Sequence, residues 1–160
     1  MRRPRRAAAA PAILSRIDDL DRHIVAHLLD DGRLSLAELG ERVSLSSPAV
    51  KRRVDRLRAS GVITGFTAIV DPGALGHHTE AFVEVHCESN MSPRALREAL
   101  AGEAEVVAAY TVTGDADALV HLRATDVEHL EQTVERIRAN PEIARTKTII
   151  VLSRLIARDG

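Results

Sequence analysis

Two short helical patterns joined by a turn of about three residues constrain the fold of this chain most strongly. The first pattern begins at Ser35. Glu38, three residues later, completes a capping box, in which each side chain binds a free backbone N–H of the helix start. Apolar residues then recur at helical spacing up to Val43. These features predict a short helix with one face packed against a core.

The second pattern is a helix with an apolar stripe and a basic surface. Val50, Val54 and Leu57 lie at positions i, i+4 and i+7, on one face of this helix. Cations occupy or flank the rest of its surface: Lys51, Arg52, Arg53, Arg56 and Arg58. Two helices joined by so short a turn, the second basic on its free face, are typical of a helix-turn-helix that reads the DNA major groove. We therefore predict that residues 35–64 bind DNA.

Pro48 sets the predicted start of the second helix. A residue before proline avoids helical backbone angles, which favours Ser47 as the N-cap, with Ser46 as an alternative. Free amides at such a helix start can bind a phosphate. The predicted DNA-binding residues are Ser46, Ser47, Pro48, Ala49 and Lys51 for base edges or nearby backbone, and Arg52, Arg53 and Arg56 for phosphates. In the alternative interpretation the arginines form a solvated face, with Arg56 paired to Asp55 or to a neighbour.

The formal net charge of −1 hides an asymmetry between the two parts of the chain. Residues 1–68 hold thirteen basic and eight acidic residues, a net charge of +5, whereas residues 69–160 hold nine and fifteen, a net charge of −6. The cations accompany the predicted DNA-binding helices. This separation favours two domains with different partners.

Residues 79–155 predict a second domain of mixed helices and strands. From Thr79 the apolar period changes to two, the pattern of a half-buried strand. Helical and extended patterns then alternate to give the order β-α-β-β-α-β, the ferredoxin-like plan. The expected elements are a helix at 92–101, strands at 105–113 and 117–124, a helix at 127–139 with Val127 on its buried stripe, and a strand at 146–152. Two helices cover one face of so small a sheet, and we expect a second copy of the chain to cover the other.

The whole chain is thus expected to be an α+β protein: a three-helix head followed by a ferredoxin-like domain. The head takes residues 15–62, with a first helix at 17–30 that Gly32 closes, and an extended linker takes residues 63–78. Residues 1–14 are expected to form a flexible basic tail, either an arm that touches DNA phosphates or a solvated extension.

Cys87 is the sole cysteine, which fits a reducing cytoplasm. We identify no metal or cofactor motif and no apolar run long enough for a membrane span.

Several motifs in register resemble the Lrp/AsnC family of bacterial transcription regulators. The resemblance covers about residues 17–155. The residues that carry it are Ile17-Asp-Asp-Leu-Asp21, Asp31-Gly-Arg33, Leu45 to Leu57, Gly61 to Phe66, Leu75-Gly76, Val107 to Asp117 and Thr146-Lys-Thr148. The resemblance implies a winged or simple helix-turn-helix head. It also implies a second domain that forms dimers, often octamers, and binds an amino acid or related metabolite between subunits.

Two positions depart from the family pattern. Ser44 stands where the turn between the two helices usually carries glycine, and a left-handed backbone there costs a non-glycine residue roughly 1 kcal/mol. Ala116 stands where the family commonly has an aromatic residue, in the sequence Gly114-Asp115-Ala116-Asp117. The missing ring puts the usual ligand contact in question.

The predicted effector-binding residues lie in and after this Gly-Asp turn: Thr113, Gly114, Asp115, Asp117 and His121. Turn amides would receive a ligand carboxylate, and Asp115 or Asp117 would meet its ammonium group. The alternative is an ordinary hairpin turn, for which Gly-Asp is common. His121 and Arg123 could line the same interface or lie at a wet edge of the sheet.

Two other functions compete with a sequence-specific, effector-responsive regulator. An enzyme is disfavoured, because the sequence offers no catalytic or metal constellation and a fold alone supports no chemistry. An architectural protein that organises DNA with little sequence preference would use the same head. The ratio of specific to non-specific affinity distinguishes it from a regulator.

Overall fold

The computed structural model describes residues 17–88 and 91–156, which form two compact units. The described residues up to Ile69 belong to a helical unit, and those from Val70 onward to a unit of sheet and helices. The predicted α+β class is confirmed. The proposed basic tail at 1–14 lies outside the described residues.

Three helices build the N-terminal unit: α1 (Asp19–Asp30), α2 (Leu36–Val43) and α3 (Ser47–Ala59). Each helix contributes to one small core, which is made of Ile24, Leu39, Val43, Val50 and Leu57. The α1 helix begins after the N-cap Asp18, two residues later than predicted. It ends at Asp31 in an extended conformation, so Gly32 does not provide the expected left-handed end.

The predicted capping box at the start of α2 is confirmed. The Glu38 N–H donates to Ser35 Oγ at 3.2 Å, and the Ser35 N–H donates to a Glu38 carboxylate oxygen at 2.8 Å. The start of α3 differs from the favoured prediction, because Ser46 and not Ser47 is the N-cap. The carbonyl of Ser46 accepts the N–H of Val50 at 3.0 Å and so begins the helical ladder. The steric bias against helical angles before proline is therefore overcome in this first turn.

The turn between α2 and α3 depends on two unusual positions. Ser44 has φ 55° and ψ 43°, the left-handed conformation that its place in the motif predicted. Gly40 lies where the chain crosses back over α2, and its carbonyl accepts the Leu45 N–H at 2.9 Å. A Cβ atom on Gly40 would stand 2.5 Å from the Leu45 carbonyl oxygen, closer than atoms can approach. The tight turn therefore requires glycine at position 40.

The C-terminal unit begins with a 3-10 turn, Pro72–Leu75, and continues as a four-stranded sheet with two helices. Its strands lie in the order β2-β3-β1-β4, and every neighbouring pair is antiparallel. This is the predicted ferredoxin-like plan. The elements in chain order are β1 (Thr79–Cys87), α4 (Pro93–Leu100), β2 (Val106–Thr111), β3 (Ala118–Ala124), α5 (Val127–Arg138) and β4 (Ile143–Ile150).

The core of this unit lies between the sheet and its helices. Alternate residues of β1 and β3 are fully buried there, beside Leu96 and Leu100 of α4 and Leu130 of α5. The prediction for Val127 is wrong: this residue, the first of α5, is 58% exposed. The last strand starts at Ile143, three residues earlier than predicted. The side-chain oxygen of Asn140 accepts the Glu142 N–H in the turn between α5 and β4. This turn is short, so the strand begins soon after the helix ends.

No helix in the described ranges is both long and apolar enough to cross a membrane.

Candidate nucleic-acid interface and hairpin site

The N-terminal end of α3 presents exposed polar groups to solvent. The N-cap Ser46 is exposed, and its hydroxyl makes no capping hydrogen bond. Ser47 and Ala49 are half-buried, while Pro48 is exposed. A helix start with an uncommitted hydroxyl and a positive dipole end favours an anionic partner.

Two cations on α3 project away from the core of the head. Lys51 pairs with Asp55 at 2.6 Å, one helical turn later, and both side chains are mostly exposed. Arg52 is exposed, and within the described part of the chain it makes no ion pair. An exposed i, i+4 pair contributes little to stability, so Lys51 can exchange Asp55 for another anion at small cost.

Arg53 and Arg56 instead hold α3 to α1. Arg53 Nη1 donates to Asp18 Oδ2 at 2.7 Å and to Asp21 Oδ1 at 2.8 Å. Arg56 Nη2 donates to the other oxygen, Asp21 Oδ2, at 2.7 Å. The side chain of Asp21 is completely buried, that of Arg53 is 25% exposed and that of Arg56 is 56% exposed. The hydrogen bond from Arg53 lowers the pKa of Asp18, and hydrogen bonds to Asp18 and Asp21 raise the pKa of Arg53.

These pairs refine the alternative interpretation of the arginines. Arg56 does pair with an acid, but the acid is Asp21 of α1 and not its neighbour Asp55, which pairs with Lys51. Asp21 was not among the predicted site residues. A signal was present, because Asp21 falls on the apolar stripe of α1, four residues after Ile17 and three before Ile24. A carboxylate on a buried stripe needs a cationic partner, and α3 supplies two.

The Gly-Asp turn joins β2 and β3 in the C-terminal unit. Gly114 has φ 123°, which a residue with a side chain rarely adopts, and the Asp115 side chain is 95% exposed. Asp117 has a structural role, since its carboxylate accepts the Cys87 N–H at 2.8 Å. Its own N–H donates to the carbonyl of Val85 at 3.0 Å. Of the two predicted hairpin carboxylates, Asp115 is therefore the less engaged, with a 3.5 Å contact to Arg145.

His121 lies away from this turn, on the sheet face opposite the helices. It follows Asp117 by four residues, about 13 Å along a strand. Its ring stacks on Phe82 with centroids 4.8 Å apart, and its Nε2 lies 2.5 Å from a Glu80 oxygen. Burial by itself raises the pKa of Glu80, but hydrogen bonds from His121 and Arg154 outweigh it and hold that pKa below its usual range. The structure thus does not bring His121 together with the predicted hairpin site.

The same open face of the sheet carries both apolar and charged side chains. Its apolar members are Phe82, Ala108, Tyr110, Leu119 and Ile149. Lys147 pairs with Glu84 at 3.2 Å, and Arg154 pairs with Glu80 at 3.0 Å. We call this set of residues the open face. A half-exposed face with several large apolar side chains is typical of a surface that another molecule covers.

A helix-turn-helix head followed by a ferredoxin-like domain defines a class of two-domain transcriptional regulators, and comparison with known proteins gives the family. The AsnC-type helix-turn-helix domain matches residues 17–58, and the Lrp/AsnC ligand binding domain matches residues 80–160. The chain belongs to the Lrp/AsnC family of transcriptional regulators, as its motifs predicted. Its relatives are regulators and not enzymes.

Individual relatives align over nearly their whole length. The HTH-type transcriptional regulator Rv2324 of Mycobacterium tuberculosis is 50% identical over 145 residues, which cover 91% of this chain and 98% of that protein. The feast or famine regulatory protein Rv3291c of M. tuberculosis, solved in complex with L-methionine, has a TM-score of 0.82 at 35% identity, over 88% of this chain and 95% of that one. The structure of Escherichia coli AsnC has a TM-score of 0.80 at 30% identity, over 89% and 96%.

Proposed function

We propose that this regulator binds double-stranded DNA at specific sequences as a homodimer and responds to an amino acid or related metabolite. One observation carries the DNA-binding part: α3 exposes its polar N-terminal end and the cations Lys51 and Arg52 on the side away from the core. Its place of action is the cytoplasm, where bacterial DNA lies. A two-fold dimer presents two such helices to half-sites about 34 Å apart, or a multiple of that distance.

We propose that some residues of this surface contact base edges and others contact phosphates. Ser46, Ser47, Ala49 and Lys51, around Pro48, lie on the first turns of α3, where side chains reach base edges. We propose that Arg52 contacts a phosphate. Arg53 and Arg56 were predicted to contact phosphates as well, and their bonds to α1 leave Arg56 the more accessible of the two.

Replacing Arg52 by alanine is expected to weaken binding to all DNA sequences alike. The loss of one phosphate contact should flatten the plot of log affinity against log salt concentration by about one unit. Fluorescence anisotropy with a labelled duplex at several salt concentrations measures both quantities. Arg58→Ala is the matched control, since Arg58 is exposed in the last turn of the same helix and lies outside the proposed site. Equal slopes for the two variants would contradict the role of Arg52.

Three observations support an effector at the hairpin between β2 and β3. The second domain matches the Lrp/AsnC ligand binding domain, and a related regulator was solved with L-methionine. Asp115 is exposed and makes only a 3.5 Å contact with Arg145, so it is available to an ammonium group. A ligand bound there between subunits acts by its different affinity for different assemblies, such as dimers and octamers.

Thermal melting against the twenty amino acids and related metabolites is expected to identify the effector. A ligand at 100 times its dissociation constant adds about 2.7 kcal/mol to the free energy of unfolding. The same ligand should fail to stabilise Asp115→Asn, whereas Asp19→Asn, which removes a similarly exposed acid of the head, should keep the full shift. A panel without any shift, with DNA binding intact, would contradict the amino-acid effector. It would indicate a regulator that works without an amino-acid signal, with Ala116 marking a lost or altered pocket.

A further inference from the structure

We propose that Asp21 is a positioning residue of the DNA-binding surface. Its buried carboxylate accepts a hydrogen bond from Nη2 of Arg56 and thereby presents the other donors of that guanidinium to a DNA phosphate. This inference rests on the proposed function and adds to it a residue on α1, which itself does not touch DNA. It also assigns different roles to the two arginines that bind Asp21.

The two arginines differ in how much of their hydrogen-bonding capacity they use. Arg53 is shared between two carboxylates, Asp18 and Asp21, and is mostly buried, so it ties α3 to α1. Among the described residues, the one ion-pair partner of Arg56 is Asp21, through Nη2. A guanidinium has five N–H donors in a rigid plane, and the Arg56 side chain is more than half exposed. Arg56 therefore keeps donors free on its solvent side.

The carboxylate makes this arginine a better phosphate ligand by fixing it in advance. A free arginine side chain samples many rotamers and loses that freedom when it binds. Asp21 is completely buried on α1, and each of its carboxylate oxygens binds a different guanidinium group. The Arg56 guanidinium, tethered through Nη2, can then bind phosphate oxygens with its remaining donors.

Simple charge counting predicts the opposite effect of removing Asp21. A negative charge near the DNA repels phosphates, so its neutralisation should strengthen binding. The positioning role predicts that Asp21→Asn binds more weakly, because an asparagine amide offers one acceptor oxygen where the carboxylate has two. The sign of the change in affinity thus separates the two accounts.

The test compares Asp21→Asn with Asp19→Asn, which removes the same charge from an exposed position of the same helix. Binding is measured by anisotropy with a labelled mixed-sequence duplex of about 40 base pairs, since phosphate contacts form on any sequence. Circular dichroism confirms that each variant is folded at the working temperature. We expect Asp21→Asn to lose about tenfold in affinity and about one unit of salt slope, and Asp19→Asn to bind as tightly as wild type or more tightly.

A second variant decides the matter if Asp21→Asn does not fold. Arg56→Lys keeps the positive charge and leaves Asp21 paired with Arg53. A lysine ammonium, however, lacks the rigid planar set of donors with which one guanidinium can bind a carboxylate and a phosphate at once. We expect it to lose affinity as Asp21→Asn does. Wild-type affinity and salt slope in a folded Asp21→Asn, or in Arg56→Lys, would overturn the inference while the wild type still binds. Absence of binding by the wild type would instead refute the proposed function.

Discussion

Replacing Gly40 by alanine is expected to unfold the N-terminal unit and abolish DNA binding, while the C-terminal unit stays folded. The added Cβ would lie 2.5 Å from the backbone carbonyl oxygen of Leu45, so the backbone itself must move. Overpacking of this kind costs about 3 kcal/mol, a large share of what five buried core residues can supply. Any shift at this turn also displaces the start of α3 relative to α2.

The matched control is Gly65→Ala, in the same unit. A Cβ there meets no atom within 4 Å, and Gly65 has no left-handed φ, so this variant should melt and bind DNA as the wild type does. Two-phase thermal melting by circular dichroism, together with DNA binding, distinguishes the units. A Gly40→Ala protein with an unchanged first transition would show that the turn tolerates a side chain.

Replacing Leu119 by lysine is expected to convert the proposed homodimer into monomers. Leu119 lies on the open face, directly between Glu84 on β1 and Tyr110 on β2. A second sheet packed on this face would have to bury the new ammonium group, a cost of several kcal/mol. In the separated monomer the lysine stays in water beside Glu84, so the fold of the unit is preserved. Sedimentation velocity measures the change in mass.

Ala101→Lys serves as the control for charge alone. Ala101 is the exposed C-cap of α4, where a cation is well tolerated, and it lies on the helical side of the sheet. We expect it to keep the wild-type mass. A Leu119→Lys protein that also keeps the wild-type mass would refute the open face as the dimer interface.

Periodicity and capping chemistry predicted most of the fold. The capping box of Ser35 and Glu38 and the β-α-β-β-α-β order of the second domain each follow from sequence patterns. The left-handed Ser44 was predicted from the family pattern. Errors were confined to element ends, as at Ser46 and Ile143, where competing local hydrogen bonds differ by little free energy.

The candidate site was less predictable, because its side chains meet across distant parts of the chain. The bonds of Asp21 to Arg53 and Arg56 span more than thirty residues, and no local pattern pairs them. Likewise, the Asp117 carboxylate accepts a hydrogen bond from the N–H of Cys87, which lies thirty residues earlier in the chain. The charged side chains are known from the sequence, but their hydrogen-bonding and ion-pair partners depend on how the helices and strands pack.

The charges of the open face have a consequence for the choice of partner. A purely apolar sheet face would associate with any similar sheet, including those of other regulators in the same cell. On the proposed interface the ion pairs Lys147–Glu84 and Arg154–Glu80 present charges of both signs, and a foreign sheet with like charges opposite them would be repelled. Self-recognition would then be encoded by these few ionic side chains, and the apolar residues around them would supply affinity.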